Sequence, residues 1–345
     1  MLLRKQPLHL TMTGIGSLLI LACGYSIAVG PMDISVADSF KSLLPNLFSL
    51  PDHVQLVIMN IRLPRTVLCA LVGAILALCG ATMQGLFRNP LAEPGIIGVS
   101  AGASLGAAAA MVLFASINIT NPILLNLFAV PVFAFVGGTV TTLIVYRLGT
   151  SKFGTSVTVM LLAGVAISAL SGAAIGYFNY IADDQMLRDL TLWGMGSMAG
   201  ATWSGIALAA ITLAGLFWLF VKKAMALNAL LLGEAEARHM GIEVQSLKRR
   251  LILTTAAGVG ITVSLVGPIG FIGLVVPHIT RMLTGPDHCK LIPVCAILGA
   301  LLLTLADMVA RVAVAPAELP VGIVTALFGA PFFLYLLFQQ KGQTL

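Results

Sequence analysis

Thr66-Val-Leu-Cys-Ala-Leu-Val-Gly-Ala-Ile-Leu-Ala-Leu-Cys-Gly-Ala-Thr-Met-Gln-Gly-Leu-Phe87 runs for 22 residues without a charge. A helix needs about 20 such residues to cross the hydrocarbon core of a bilayer, so this stretch reads as a membrane span. Comparable runs lie on both sides of it, at about 10–29, 95–117, 123–146, 157–181, 203–221, 251–267, 269–284, 291–314 and 319–338, which makes ten expected spans. None shows the alternation of a barrel strand, and backbone in lipid must satisfy its hydrogen bonds internally. The expected fold is all-α: a polytopic membrane protein forming one transmembrane domain over residues 1–345.

Composition leads to the same place. Of 345 residues 59% are hydrophobic and 9% charged, against roughly 25% charged in a soluble domain. Lys and Arg favour the cytoplasmic side of inserted helices, and with both termini inside, fourteen of the nineteen fall there. These are Arg4, Lys5, Arg88, Arg147, Lys152, Lys222, Lys223, Arg238, Lys248, Arg249, Arg250, Arg281, Lys290 and Lys341. Outside remain Lys41, Arg62, Arg65, Arg188 and Arg311. The net charge of +6 therefore reflects topology and calls for no nucleic-acid partner. A signal peptide, or a lipoprotein site at Leu21-Ala22-Cys23-Gly24, is the alternative reading of the N-terminal run.

Two polar stretches exceed a simple hairpin. The cytoplasmic one, 222–250, has a core from Leu230 to Gly241 that reads as short helical pieces broken by Gly233 and Gly241. It is either a docking element or a solvated connector. The external one, Ile181 to Trp203, holds Asp183, Asp184, Arg188 and Asp189, with Trp193 and Trp203 suited to an interfacial belt. Glycines at 98, 102 and 106, and small residues at 164, 168, 172 and 176, leave one small face on each of two spans, which implies close helix packing in the interior. Gly267-Pro-Ile-Gly270 and Pro277 interrupt the eighth span, and Asn89-Pro-Leu-Ala-Glu-Pro-Gly95 separates the second from the third.

Most enzyme chemistries are excluded. Gly98-Val-Ser100-Ala-Gly102 matches a serine-hydrolase elbow but lies inside an apolar helix rather than a strand-turn-helix. The histidines never take metalloprotease spacing, the five cysteines have no metal-ligand spacing, and no phosphate-binding Gly-Lys-Ser/Thr loop exists. No catalytic or metal site is expected, nor a cofactor bound by this chain. Asp307 is the one span carboxylate that an ion-coupled secondary transporter would need, but Arg311 sits four residues on and can pair with it. Arg62, Arg65 and Arg311 form either a basic rim for an acidic partner or lipid-headgroup anchors.

Six stretches in order resemble the permease family of bacterial ABC importers for iron-siderophore, haem and cobalamin. They are Arg62-Leu-Pro-Arg65, Gln84-Gly-Leu-Phe-Arg-Asn-Pro-Leu-Ala-Glu-Pro-Gly95, Leu232-Gly-Glu234 with Gly241, Gly270-Phe-Ile-Gly-Leu-Val-Val-Pro-His278, Ala306-Asp-Met-Val-Ala-Arg311 and Glu318-Leu-Pro-Val-Gly322. The resemblance implies a type II importer permease in the bacterial inner membrane. Its implied partners are a second copy, two cytoplasmic ATPase subunits that carry ATP and Mg, and a periplasmic binding protein. It further implies ATPase coupling through Leu232, Gly233, Glu234, Arg238 and Gly241, binding-protein docking at Arg62, Arg65 and Arg311, and a cytoplasmic gate at Asn89, Leu91 and Thr158. Leu187 to Ser197 and Gly285-Pro-Asp-His288 resemble the haem branch more than the siderophore or cobalamin branches. Arg188 is then the candidate cation for the haem propionates, with pairing to Asp184 as its alternative.

Overall fold

A computed structural model describes residues 7–44, 47–48, 50–115, 129–151 and 154–341. The expected charges at Arg4, Lys5 and Lys152, and the facing ends of the third and fourth spans, lie outside the described residues. The apolar helices are α1 (Leu8–Ala28), α4 (Leu63–Phe87), α5 (Val99–Ala115), α6 (Val130–Gly149), α7 (Val157–Ile181), α9 (Trp203–Leu232), α11 (Val244–Val266), α12 (Ile272–Thr284), α13 (His288–Val312) and α14 (Val321–Lys341); among the described residues seven are long and apolar enough to cross a membrane, and α5, α12 and α14 are shorter apolar helices. Short helices α2 (Val36–Lys41), α3 (Asp52–Val57), α8 (Asp184–Gly194) and α10 (Glu234–His239) lie between them, with a two-residue hairpin of β1 (Thr150–Ser151) and β2 (Gly154–Thr155). Every expected span has its helix, and α1 runs unbroken through Cys23.

The stretch Thr66–Phe87 forms α4, the axis of the molecule, buried along nearly its whole length. Its small residues explain why. A Cβ on Gly73 would collide with the Gly299 carbonyl of α13, and one on Gly80 with the Gly273 carbonyl of α12. Backbones meet directly at both points, where dispersion replaces the hydrophobic drive that lipid removes. Gly102 and Gly106 of α5 press in the same way against the Gly137 and Phe133 carbonyls of α6. The matching expectation for α7 is corrected. Gly164 does meet the Ile96 carbonyl, but Gly172 and Gly176 have nothing within 4 Å, and most of α7 lies on the outside of the chain.

Pro277 does not interrupt its helix. It lies buried inside α12, although a proline cannot donate to the carbonyl four residues back. The orphaned carbonyl is Gly273, and Gln84 of α4 supplies the missing donor through Nε2 at 3.3 Å. The break falls earlier, at residues 267–271, where Gly267 and Phe271 have positive φ. The polar stretch 222–250 is also more ordered than expected. α9 extends to Leu232 and α11 begins at Val244, so the true connection is the short segment around α10. Within residues 181–203, Asp184–Gly194 form α8, capped by Asp183, whose carboxylate accepts from Met186 N at 2.8 Å.

Candidate functional site

At one end of the bundle α1, α4 and α13 bring the three arginines together below the surface. Arg65 donates from Nε to Asp307 at 3.0 Å, and Arg311 from Nε to the other oxygen at 2.7 Å. Arg65 also pairs with Glu318. Arg311 donates to the Ser26 carbonyl at 3.0 Å, and Arg62 to the carbonyls of Ile27, Ala28 and Met32 at the end of α1. The expected exposed rim is corrected. Arg62, Arg65 and Arg311 are 3%, 4% and 2% exposed, because their guanidiniums serve two carboxylates and several helix-end carbonyls. Asp307 pairs with Arg311 as its spacing suggested, and also with Arg65, which spacing could not show.

The opposite end carries α10. Gly233 at φ 140° and Gly241 at φ 79° flank it, conformations that favour glycine, so both turns need the residues found there. Leu232, Arg238 and Met240 are exposed, forming an apolar and basic surface on a compact projection. Glu234 faces inward, accepting from Lys248 of α11 at 2.6 Å. The same ammonium donates to the Thr155 carbonyl at 3.1 Å, while Gln245 accepts from Thr155 N at 3.0 Å. Ser156 then caps α7, and Thr158 stands exposed in its first turn. A continuous polar link thus joins α10 to the foot of α7. Lys248 is its centre and was legible in the sequence simply as one more cytoplasmic cation.

Asn89 and Leu91 occupy the turn after α4. Arg88 closes that helix in the left-handed region at φ 50°, and Asn89 Oδ1 accepts from Leu91 N at 2.9 Å. A cavity of about 290 Å³ unites Asn89 with Gln84, Arg281, His288 and Leu231 at the foot of α9. The turn continues to Glu93, whose carboxylate accepts from Phe271 N at 3.1 Å. Both proline-glycine breaks therefore meet, around a second cavity of about 240 Å³ lined by Glu93, Ser100 and residues 268–270. Glu93 is a buried carboxylate that sequence reading passed over as part of a motif. Asn89 and Thr158 are not brought into contact. Arg188 stands exposed on α8 and pairs with no carboxylate among the described residues; Asp189 accepts instead from Gln185.

Among the described residues the polar ends hold a buried arginine cluster, a short helix flanked by glycines with its link to α7, and two proline-glycine breaks. The FecCD transport family matches residues 18–339. The chain belongs to the FecCD transport family. Among FecCD relatives, the Hemin transport system permease protein HmuU of Yersinia pestis is 44% identical over 94% of each chain. The Vitamin B12 import system permease protein BtuC of Shigella boydii is 40% identical over 94% of this chain and 93% of its own. A solved chain described as a metal-chelate type ABC transporter in an inward-facing conformation superposes with a TM-score of 0.82 at 30% identity, covering 96% of this chain and 99% of that one. The protein is therefore an ABC importer permease with the type II fold, a multi-pass transport subunit.

Proposed function

We propose that this permease carries haem across the bacterial inner membrane, as a pair of copies joined to two ATPase subunits and a periplasmic binding protein. The observation that carries the cargo reading is the 44% identity, over nearly all of both chains, to a relative named for hemin transport. Relatives named for vitamin B12 stand at 40% over 94% of this chain and at 43% over 83% of it, so cobalamin is the second reading, with a ferric siderophore beside it.

Both termini and α10 lie on the cytoplasmic side in this reading, because the end bearing α10, Arg238, Arg249, Arg250 and Arg281 is the cationic one. Leu232, Gly233, Glu234, Arg238 and Gly241 form the element seated in a groove of the ATPase, a helix-in-groove contact. ATP and Mg belong to that partner. Closure of the ATPase pair moves α10, and the Glu234–Lys248–Thr155 link passes the motion to the foot of α7 and Thr158, while Leu231 passes it to Asn89 and Leu91. The exposed small face of α7 with Gly172 and Gly176 suits a second copy across the pathway. Arg188 is free to meet a propionate. The three buried arginines act as the scaffold under the face that receives the binding protein, not as its contact surface.

The test is reconstitution in vesicles with ATPase and binding protein, following haem, cobalamin and ferric siderophore. ATP-dependent accumulation of haem above the others is expected. Accumulation of cobalamin alone would move the protein to the second reading, and uptake by the chain alone on an ion gradient would overturn the importer scheme.

A further inference from the structure

A further cavity borders α10 and the hairpin held by the polar link. It measures about 790 Å³ and opens between the β1–β2 hairpin, α10 and the first turns of α11. Arg238, Arg249 and Arg250 line it, with Tyr146, Gln245 and Ser246. Its roof is fixed, because Gln245 and Lys248 both hold Thr155 of the hairpin.

Three features give it a chemical preference. Among the described residues its lining has three cations and no carboxylate. Glu234 is taken by Lys248 at 2.6 Å and reaches Arg238 at 3.8 Å, while Arg249 and Arg250 have no carboxylate partner among the described residues. Second, Arg249 and Arg250 stand in the second turn of α11, whose N-cap is Glu243 and whose first turn has no acidic residue. A helix N-terminus already carries a partial positive charge, so with Lys248 paired to Glu234 these two arginines still leave this end of α11 favourable to an anion. Third, the end of α6 that supplies Tyr146 exposes Leu143, Ile144 and Leu148 at 41%, 42% and 59%. Aliphatic surface flanking a tyrosine at a helix end suits the level where acyl chains meet headgroups.

We propose that this cavity is a binding site for the headgroup of an anionic phospholipid, its phosphate diester held by Arg249 and Arg250 and its acyl chains lying along α6. Arginine forks suit phosphate oxygens, and basic pockets between membrane helices recognise such headgroups. The volume far exceeds one phosphate and accommodates a diphosphate lipid such as cardiolipin. The proposal stands whatever the cargo is. Bound lipid would brace the hairpin against α10 and so tune the link described above.

The experiment measures thermal unfolding of the purified full-length chain in neutral detergent, with cardiolipin, with phosphatidylcholine or with inorganic phosphate. Retained lipid is counted in parallel by native mass spectrometry. Cardiolipin is expected to raise the midpoint and to be retained, and Arg249→Gln with Arg250→Gln to abolish most of both effects. Lys222→Gln with Lys223→Gln, an equal loss of charge on α9, should leave them intact. Should the double variant fail to fold, Arg250→Gln alone carries the comparison. Equal loss in the α9 variant would reduce the effect to diffuse attraction and overturn the site. An equal rise with inorganic phosphate would replace the lipid by a soluble anion, and no rise with cardiolipin would end the proposal.

Discussion

Arg65 and Asp307 lie 242 residues apart in the chain, yet their side chains meet at 2.9 Å around a carboxylate that is wholly buried. Arg311 closes on the same carboxylate from its own helix. The contact fixes the start of α4 against the end of α13, and through the Ser26 carbonyl it also fixes the end of α1. Three helices are thus aligned at one end by charge, while farther along α4 glycine contacts set it against α13 and α12.

Removing one partner of this cluster should be costly, because it strands a charge out of water. Arg65→Met is expected to destabilise the chain by about 3–5 kcal/mol. Arg65→Met combined with Asp307→Asn should recover part of the loss. Thermal unfolding of the detergent-solubilised protein reads both, and a neutral Arg65→Met would show that the cluster does not hold the fold.

Glycine packing predicts a contrast between two positions. Gly80→Val on α4 forces apart backbones that touch, and overpacking of this kind costs about 1–3 kcal/mol or more. Gly176→Val on α7 meets nothing within 4 Å and should leave the unfolding midpoint of the single chain unchanged. If α7 faces a second copy, the same change will lower the dimer fraction by size-exclusion chromatography with light scattering.

The link from α10 to α7 can be tested by reversal. Lys248→Met leaves Glu234 without its 2.6 Å partner, and charge-assisted hydrogen bonds contribute about 1.5–3 kcal/mol. Reconstituted uptake should fall while basal ATP hydrolysis by the partner subunits persists. A swap of Glu234→Lys with Lys248→Glu should restore part of the coupling. Parallel loss of both uptake and hydrolysis in every variant would point to lost assembly instead.

Asp287 gives a pH signature. Burial pushes its carboxyl up, but bonds from Asn228 at 2.7 Å and Cys289 N at 2.9 Å prevail and hold it below its ordinary value. A carboxylate depressed in the folded state contributes stability above its unfolded value, about 3.9, and loses that contribution as pH falls through the folded one. The midpoint difference between the wild-type chain and Asp287→Asn should therefore be constant near neutrality and shrink as acid is added below about pH 4. A difference independent of pH would assign the effect to capping geometry alone.

Much of this was readable from local pattern. Twenty apolar residues in a row can do little but span a membrane, so all ten helices were visible in the chain. Gly233 and Gly241 announced the turns around α10, since a positive φ leaves few other choices. Glu93 was passed over because nothing in a motif states depth. Its burial depends on how the turn after α4 folds back beside Phe271.

The apolar runs with which the sequence opens therefore settled fold class, span number and, with the motif order, the family. Those properties depend on short-range chemistry: transfer of side chains to lipid and the conformational freedom of single residues. Where the charges go was decided in three dimensions. Arg62, Arg65 and Arg311 had the composition of an exposed rim and became a buried cluster, because Asp307, Glu318 and the carbonyls of α1 converge on them from elements far apart in the chain. Lys248 changed from one of fourteen cations into the bridge between α10 and α7 for the same reason. A charge finds its lowest free energy through partners within a few ångströms, and only the packed helices determine who those partners are.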